Sequence, residues 1–60
     1  MAFILFVGDF VRPVGASKFH EVVDTDGDMQ VRLDDGRWCW ADDGDITAAM
    51  SSAEYWKSIK

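Results

Sequence analysis

Apolar and polar residues alternate with a period of two in the middle of the chain, a pattern typical of a β-strand with one buried face. Met29, Val31 and Leu33 are separated from one another by single polar residues. The stretch therefore predicts a strand on which these three side chains share the face that is turned toward a core.

A second strand is predicted directly after the first. Asp35 and Gly36 form a pair that favours a two-residue hairpin turn, and Trp38 and Trp40 follow on either side of Cys39. The two Trp side chains then lie on one face of the strand. Cys39 points the opposite way, and we expect it to pack as a small apolar side chain.

The N-terminal half of the chain predicts further strands separated by turns. Residues 2–7 are a continuous apolar run, which predicts a strand that is buried on both faces or lies in the wall of a closed barrel. After a short break, residues 10–12 resume an extended pattern. Residues 18–24 predict another strand, and residues 25–28, rich in Asp and Gly, predict the turn of a hairpin.

The C-terminal part of the chain predicts a helix. Ser51 and Glu54 have the spacing of a capping box, in which each side chain satisfies the free backbone N–H of the other residue. We therefore expect a short helix over residues 52–59. Residues 46–49, which precede it, fit either a last short strand or a single helical turn.

Four or five short strands in 60 residues must curl to cover their own core, which favours a small barrel. The order of segments is similar to SH3-like barrels of the KOW and Tudor type, which commonly open with Gly-Asp-x-Val-Arg and carry a Gly-Arg-aromatic hairpin. Here residues 8–12 read Gly-Asp-Phe-Val-Arg and residues 36–38 read Gly-Arg-Trp. The resemblance covers residues 8–46. It implies a mainly β fold, a small SH3-like antiparallel barrel with a short C-terminal helix, with residues 1–60 as a single acidic domain.

The cysteine count and the length of the apolar runs indicate a cellular compartment. Cys39 is the single cysteine, so the chain cannot form an internal disulfide, and secreted domains of this size usually need such bridges. The apolar run at residues 2–7 is too short for a signal peptide or a membrane span. We expect a cytoplasmic protein, in the cytosol of the host cell if a phage encodes it.

Negative charge is concentrated in one part of the chain. The sequence carries 11 acidic and 6 basic residues, a net charge of −5, and eight of the acidic residues are Asp between positions 24 and 45. The basic residues in that stretch are Arg32 and Arg37. Since phosphate binding relies on Lys and Arg, nucleic acid and anionic membranes are poor partners for this surface. A basic protein is the expected partner.

Residues suited to catalysis are few. His20 is the single histidine and Cys39 the single thiol, and no motif for nucleophilic catalysis accompanies either of them. One Cys and one His are also too few for a typical zinc site. We expect that the protein is not an enzyme and uses no cofactor.

The first acidic stretch partly matches a calcium-binding motif. Asp24, Asp26 and Asp28 have the spacing of the first three ligands of an EF-hand loop. Met29 stands where that loop needs a Gly for its sharp turn, and Asp35 stands where a bidentate Glu belongs. We expect no metal site here, and weak cation binding by these residues stays an open question.

These features favour an acidic inhibitor that mimics nucleic acid and occupies the DNA- or RNA-binding groove of a basic partner. In size, charge and single-domain form, the chain resembles small phage-encoded inhibitors, including the anti-CRISPR proteins that fill the DNA-binding groove of a Cas effector complex. We expect a monomer that binds a basic nucleic-acid-binding protein and neither nucleic acid nor membrane directly. The predicted partner-binding residues are Glu21, Asp24, Asp26, Asp28, Asp34, Asp35, Trp40, Asp42, Asp43 and Asp45.

Two other interpretations stay open. An SH3-like adaptor would bind a peptide or a basic tail through exposed Trp38 or Trp40 and the acidic loops beside them. A structural subunit of a larger particle would self-associate through residues 2–7 or through the aromatic side of the C-terminal helix. Dependence of binding on the Trp residues would favour the adaptor, and oligomerisation would favour the subunit.

Overall fold

The computed structural model describes residues 2–27 and 29–59, which form one antiparallel sheet and one helix. The elements are β1 (Phe10–Pro13), β2 (His20–Asp26), β3 (Gln30–Leu33), β4 (Trp38–Trp40), β5 (Ile46–Met50) and α1 (Ser52–Ser58). The order of strands across the sheet is β4-β3-β2-β1-β5. The predicted mainly β fold with a short C-terminal helix is confirmed. The sheet is not closed into a barrel, because its edge strands β4 and β5 do not pair with each other.

Strand β2 is the longest strand and joins the two halves of the sheet. Its first residues pair with β1, where Phe10 lies opposite Glu21, and the rest of the strand pairs with β3. The register between β2 and β3 shifts between Val22 and Asp24. Because an irregularity of this kind increases the local twist and bends a strand, β2 can turn the two halves of the sheet around a common core.

The core consists of small and branched apolar side chains from every strand and from Ala41, just beyond β4. Val31 and Leu33 are buried, which confirms the face predicted from the period-two pattern, and Cys39 is buried between the two exposed Trp residues. Met29 is 64% exposed, so its predicted place on the buried face is wrong. Met29 lies in the turn before β3, where the strand alternation has not yet begun. The remaining buried residues are Phe10, Val11, Pro13, Val22, Ala41 and Ile46.

The predicted strand at residues 2–7 is wrong, because this segment makes only an isolated bridge between Ala2 and Asp42. It crosses one end of the sheet, and the N–H of Phe3 donates to the carbonyl of Ala41 at 2.8 Å. Phe3 and Leu5 pack against the core, whereas Ile4 is 84% exposed. The segment therefore covers the core with alternate side chains but has no strand alongside it to form a ladder.

The helix begins at the predicted capping box. The N–H of Glu54 donates to Oγ of Ser51 at 3.2 Å, and the N–H of Ser51 donates to Oε1 of Glu54 at 3.1 Å. The ring of Tyr55 stacks on Phe10 with a centroid distance of 3.7 Å and an interplanar angle of 4°, which attaches the helix to β1. Strand β5, not a helical turn, precedes the helix. No helix among residues 2–27 and 29–59 is long and apolar enough to cross a membrane.

Both predicted hairpins form, with turns that differ from the expected ones. In the β3–β4 hairpin, the N–H of Gly36 donates to the carbonyl of Leu33, and the N–H of Leu33 donates to the carbonyl of Arg37, both at 2.9 Å. Gly36 has a φ of 91°. This is a three-residue loop that ends in a left-handed Gly, one residue longer than the predicted turn. In the β2–β3 hairpin, β2 continues to Asp26, so half of the predicted turn is strand.

Candidate partner-binding surface

Strand register determines which acidic turns lie close together. Trp40, the last residue of β4, lies opposite Gln30, which follows the β2–β3 turn. The N–H of Ala41 donates to the carbonyl of Met29 in that turn at 2.8 Å. The β4–β5 connection therefore starts beside the β2–β3 turn. We call this part of the molecule the acidic end; its described carboxylates belong to Asp26, Asp42, Asp43 and Asp45. Asp24 lies two residues back along β2, opposite Arg32.

The other acidic residues of the predicted surface lie at the opposite end of the sheet. Asp34 is in the β3–β4 turn, where its Oδ1 lies 2.8 Å from Nδ1 of His20 and its Oδ2 accepts the N–H of Glu21 at 3.2 Å. Asp35 forms an ion pair with Arg37 at 3.3 Å. The structure thus divides the predicted binding residues between two ends, and Asp28 lies outside the described residues.

The carboxylates of both ends also hold the local backbone. Asp42 accepts the N–H of Gly44 at 3.0 Å, and Asp45 accepts the N–H of Trp40 at 2.9 Å. Asp24 accepts the N–H of Thr25, and Asp35 accepts the N–H of Arg37. Such bonds fix the position of each carboxylate. The acidic surface is therefore built from the same side chains that shape the turns.

The outer face of the β2–β3–β4 half of the sheet carries two rows of side chains. In the first row, Arg32 of β3 lies opposite Asp24 on one side and Trp38 on the other. In the second row, Gln30 lies opposite Asp26 and Trp40. Trp38 is 43% exposed and Trp40 is 46% exposed.

The two Trp residues stand in different electrostatic surroundings. Trp38 follows Arg37, which is paired with Asp35, and shares its row with Arg32 and, beyond it, Asp24, so cations and carboxylates are mixed on its side of the face. Trp40 shares its row with Asp26, and its backbone is bound by the carboxylate of Asp45. The charge of the face therefore becomes more negative along β4 from Trp38 to Trp40. This difference arises from the pairing of separate strands and is not visible in the linear sequence.

Strand β4 is an edge of the sheet, and its outer backbone groups face a narrow cleft. The hydrogen bonds from Leu33 to Arg37 and from Ala41 to Met29 place Trp38 and Trp40 at the positions that do not bond to β3. Their N–H and C=O groups therefore point away from β3. The cleft has a volume of about 180 Å³ and is lined by Pro13, Val14, Arg37, Trp38, Cys39 and Asp45.

Two titratable groups have shifted pKa values with clear physical causes. The hydrogen bond with His20, supported by the N–H of Glu21, lowers the pKa of Asp34 against the opposing effect of partial burial. Burial raises the pKa of the Cys39 thiol, and the nearby carboxylate of Asp45 adds to the rise. Cys39 is therefore held as a thiol and is a poor nucleophile. Within residues 2–27 and 29–59, no three His, Cys, Asp or Glu side chains come together in a way that could hold a metal ion.

A comparison of the chain with protein-family models, with curated proteins and with solved structures finds no match. The similarity to SH3-like barrels and the resemblance to phage-encoded inhibitors therefore stay predictions from the sequence.

Proposed function

We propose that the protein binds a basic protein partner at its acidic end and occupies the surface on which that partner binds nucleic acid. The observation that carries this proposal is the convergence of the β2–β3 turn and the β4–β5 connection, which gathers four described carboxylates at one end of the sheet. The outer-face row at this end consists of Asp26, Gln30 and Trp40, and Arg32 lies in the next row. A groove lined with Lys and Arg would meet a surface of opposite charge.

The backbone hydrogen bonds of the acidic end favour this mode of binding. Asp42 and Asp45 are each positioned by a backbone N–H at 3.0 Å or less. Side chains that are already ordered lose less conformational entropy when they bind than free ones do. When these carboxylates bind to a groove that normally holds phosphates, the anions bound in that groove are released to the solvent. Binding would therefore weaken as the salt concentration rises.

The expected partner is a basic nucleic-acid-binding protein or complex in the cytoplasm, of which a CRISPR–Cas effector is one example. This choice rests on the resemblance in size and charge described above. The inhibitor would act without chemistry, because it competes with nucleic acid for the same groove. The protein would bind as a monomer with a single acidic end.

The proposal is tested by removing charge at one end of the molecule at a time. The double variant Asp26→Asn with Asp43→Asn removes two charges from the acidic end and keeps an oxygen acceptor at each position. The control variant Glu21→Gln with Asp35→Asn removes the same charge from the opposite end. Lysine is unsuitable at Asp42 and Asp45, because both carboxylates accept backbone N–H groups and their loss would disturb the turns.

Tagged wild-type and variant proteins are used to capture partners from bacterial lysate at low and high salt, and each captured protein is then tested for DNA or RNA binding. We expect a nucleic-acid-binding partner that the control variant retains, that the acidic-end variant loses, and that added DNA displaces. Equal capture by the two variants, or a partner that binds nucleic acid and the protein at the same time, would contradict the proposal.

A second candidate function is favoured by the exposure of Trp38 and Trp40. A peptide-binding adaptor would hold an extended segment on these rings, and its capture of partners would resist high salt. The variant Trp40→Ala would abolish such capture, whereas Trp56→Ala, which removes a Trp that is 52% exposed on the helix, would leave it unchanged. A salt-resistant capture that depends on Trp40 would favour the adaptor over the nucleic-acid mimic.

A further inference from the structure

The outer edge of β4 has the features of a site for strand addition. Trp38 and Trp40 occupy the positions of β4 that do not bond to β3, so their N–H and C=O groups are directed to the outer edge. The bond from the N–H of Trp40 to Oδ2 of Asp45 at 2.9 Å agrees with this direction. Exposed edge groups of this kind are the groups that bind an extended peptide as an added strand.

We propose that the edge of β4 binds an extended segment of the basic partner as an added antiparallel strand, with a Lys or Arg side chain of that segment placed on Trp40. This inference rests on the proposed function, since the added strand belongs to the same basic partner. It adds to the charged groove of that partner a second part that is recognised, a short extended segment.

The position of Asp45 limits the length of the added strand. The carboxylate of Asp45 already accepts the N–H of Trp40, and the N–H of Val14 donates to the carbonyl of Asp45 at 2.8 Å. Main-chain hydrogen bonding with an added strand is therefore confined to Trp38, and the peptide residue beside Trp40 contacts the ring through its side chain. The cleft of about 180 Å³ at this place has room for a short piece of extended chain and not for a folded domain.

Charge along β4 decides which peptide side chain lies on which Trp. The added residue opposite Trp38 lies beside Arg37 and in a row where Arg32 is nearer to it than Asp24, so an apolar side chain is preferred to a cation there. Two residues away, about 7 Å along a strand, the next side chain on the same face reaches Trp40. Its immediate surroundings are the indole ring and the carboxylate of Asp45, with Asp26 farther along the same row beyond Gln30, and these groups favour a cation.

Antiparallel pairing fixes the order of the two peptide residues. Trp40 follows Trp38 in the chain, so the cationic residue of an antiparallel peptide precedes the apolar residue by two positions. The whole sheet is antiparallel, and pairing of this kind is slightly more stable per residue than parallel pairing. The recognised pattern is therefore Lys or Arg, any residue, then an apolar residue.

The test uses short peptides and the complete protein labelled with ¹⁵N. The first peptide is a six-residue sequence, acetylated and amidated, in which Lys precedes Leu by two positions and the other residues are Ser and Thr. The second peptide is identical but has a methyl group on the backbone nitrogen of Leu, which removes the donor to the carbonyl of Trp38 and keeps all charges. The third has Lys and Leu exchanged. Dissociation constants are measured from amide chemical shifts.

We expect the first peptide to shift the amide signals of residues 37–39 and to bind about five times more tightly than the methylated peptide, as the loss of one hydrogen bond predicts. The exchanged peptide is expected to bind more weakly than the first. Trp40→Ala is expected to weaken binding of the first peptide, and Trp56→Ala is expected to leave it unchanged. Equal affinity of the methylated and unmethylated peptides, or no binding at millimolar concentration, would overturn the inference.

The outcome also separates this inference from the proposed function. If partner capture depends on Asp26 and Asp43 while backbone methylation of the peptide has no effect, the acidic end is the binding site and strand addition is rejected. If the acidic-end and control variants capture the same partners, the proposed function is rejected, and the added-strand inference that rests on it is withdrawn with it.

Discussion

Asp45 shows how one side chain can serve the fold and the surface together. Its Oδ2 accepts the N–H of Trp40 at 2.9 Å, and its main-chain carbonyl accepts the N–H of Val14 at 2.8 Å. The first bond holds the end of β4, and the second holds the residue after β1. Asp45 thus connects the two halves of the sheet where β4 and β5 are not paired, and it adds charge to the acidic end.

Replacement of Asp45 is expected to separate its structural role from its charge. Asp45→Ala removes the acceptor of the Trp40 N–H and is expected to lower the free energy of unfolding by about 1 kcal/mol. Asp45→Asn keeps an acceptor oxygen and is expected to cost clearly less. Urea unfolding followed by circular dichroism measures both values. An equal loss in the two variants would show that the charge of Asp45, and not its hydrogen bond, stabilises the fold.

Strand β2 presents its two adjacent valines to opposite sides of the sheet. Val22 is completely buried in the core, whereas Val23 is 45% exposed. Both residues are Val and lie in the same strand. Val22 pairs with Leu33, and Val23 stands at the register shift between Val22 and Asp24. The pair therefore offers a direct measure of what burial contributes in so small a core.

We expect Val22→Ala to lower the free energy of unfolding by about 1–3 kcal/mol, because two buried methyl groups are lost at roughly 0.5–1.5 kcal/mol each. Val23→Ala is expected to change it by less than about 0.5 kcal/mol, as is usual for surface positions. Thermal or urea unfolding of both variants provides the comparison. Similar losses at the two positions would contradict the observed orientation of β2.

The sequence correctly predicts those secondary-structure elements whose formation depends on contacts between residues close in the chain. The capping box of Ser51 and Glu54 depends on residues three positions apart, and it forms as predicted. The β3–β4 hairpin also forms at the predicted position, although its loop is one residue longer than expected. The strand expected at residues 2–7 does not form, because a ladder needs a neighbouring strand at the right place and composition alone cannot supply one. The end of β2 at Asp26 is decided by its pairing with Gln30.

The candidate surface is predictable only in part for the same reason. The sequence identifies the acidic turns and the shared face of Trp38 and Trp40. It does not show that Asp34 and Asp35 lie at the opposite end, since that follows from strand register. Nor does it show that Arg32 shares a row with Trp38, because this contact joins separate strands.

For the molecule as a whole, the uneven charge is expected to oppose folding at low salt. The net charge is −5, and four described carboxylates share one end of a molecule that measures 31 × 22 × 21 Å. At 0.01 M ionic strength the screening length is about 30 Å, comparable with the length of the molecule, and at 0.15 M it is about 8 Å. Repulsion among the carboxylates is therefore screened as salt is added.

We expect Tm to rise by about 2–4 °C when NaCl is raised from 0.01 M to 0.15 M, which corresponds to roughly half a kcal/mol for a domain of this size. The variant Asp26→Asn with Asp43→Asn is expected to show a smaller rise, since part of the repulsion has been removed. Thermal unfolding by circular dichroism measures both. A rise of the same size in this variant and in wild type would mean that repulsion at the acidic end does not limit stability.

The outward position of the indole rings has a consequence for spectroscopy. Trp38, Trp40 and Trp56 are the three Trp residues of the chain, and all lie 43–52% exposed. In the folded protein their fluorescence should already resemble that of Trp in water, so unfolding will change the emission wavelength little. A blue shift on addition of another molecule would then show that this molecule excludes water from a Trp ring. Intrinsic fluorescence is therefore expected to be a good probe of binding and a poor probe of unfolding.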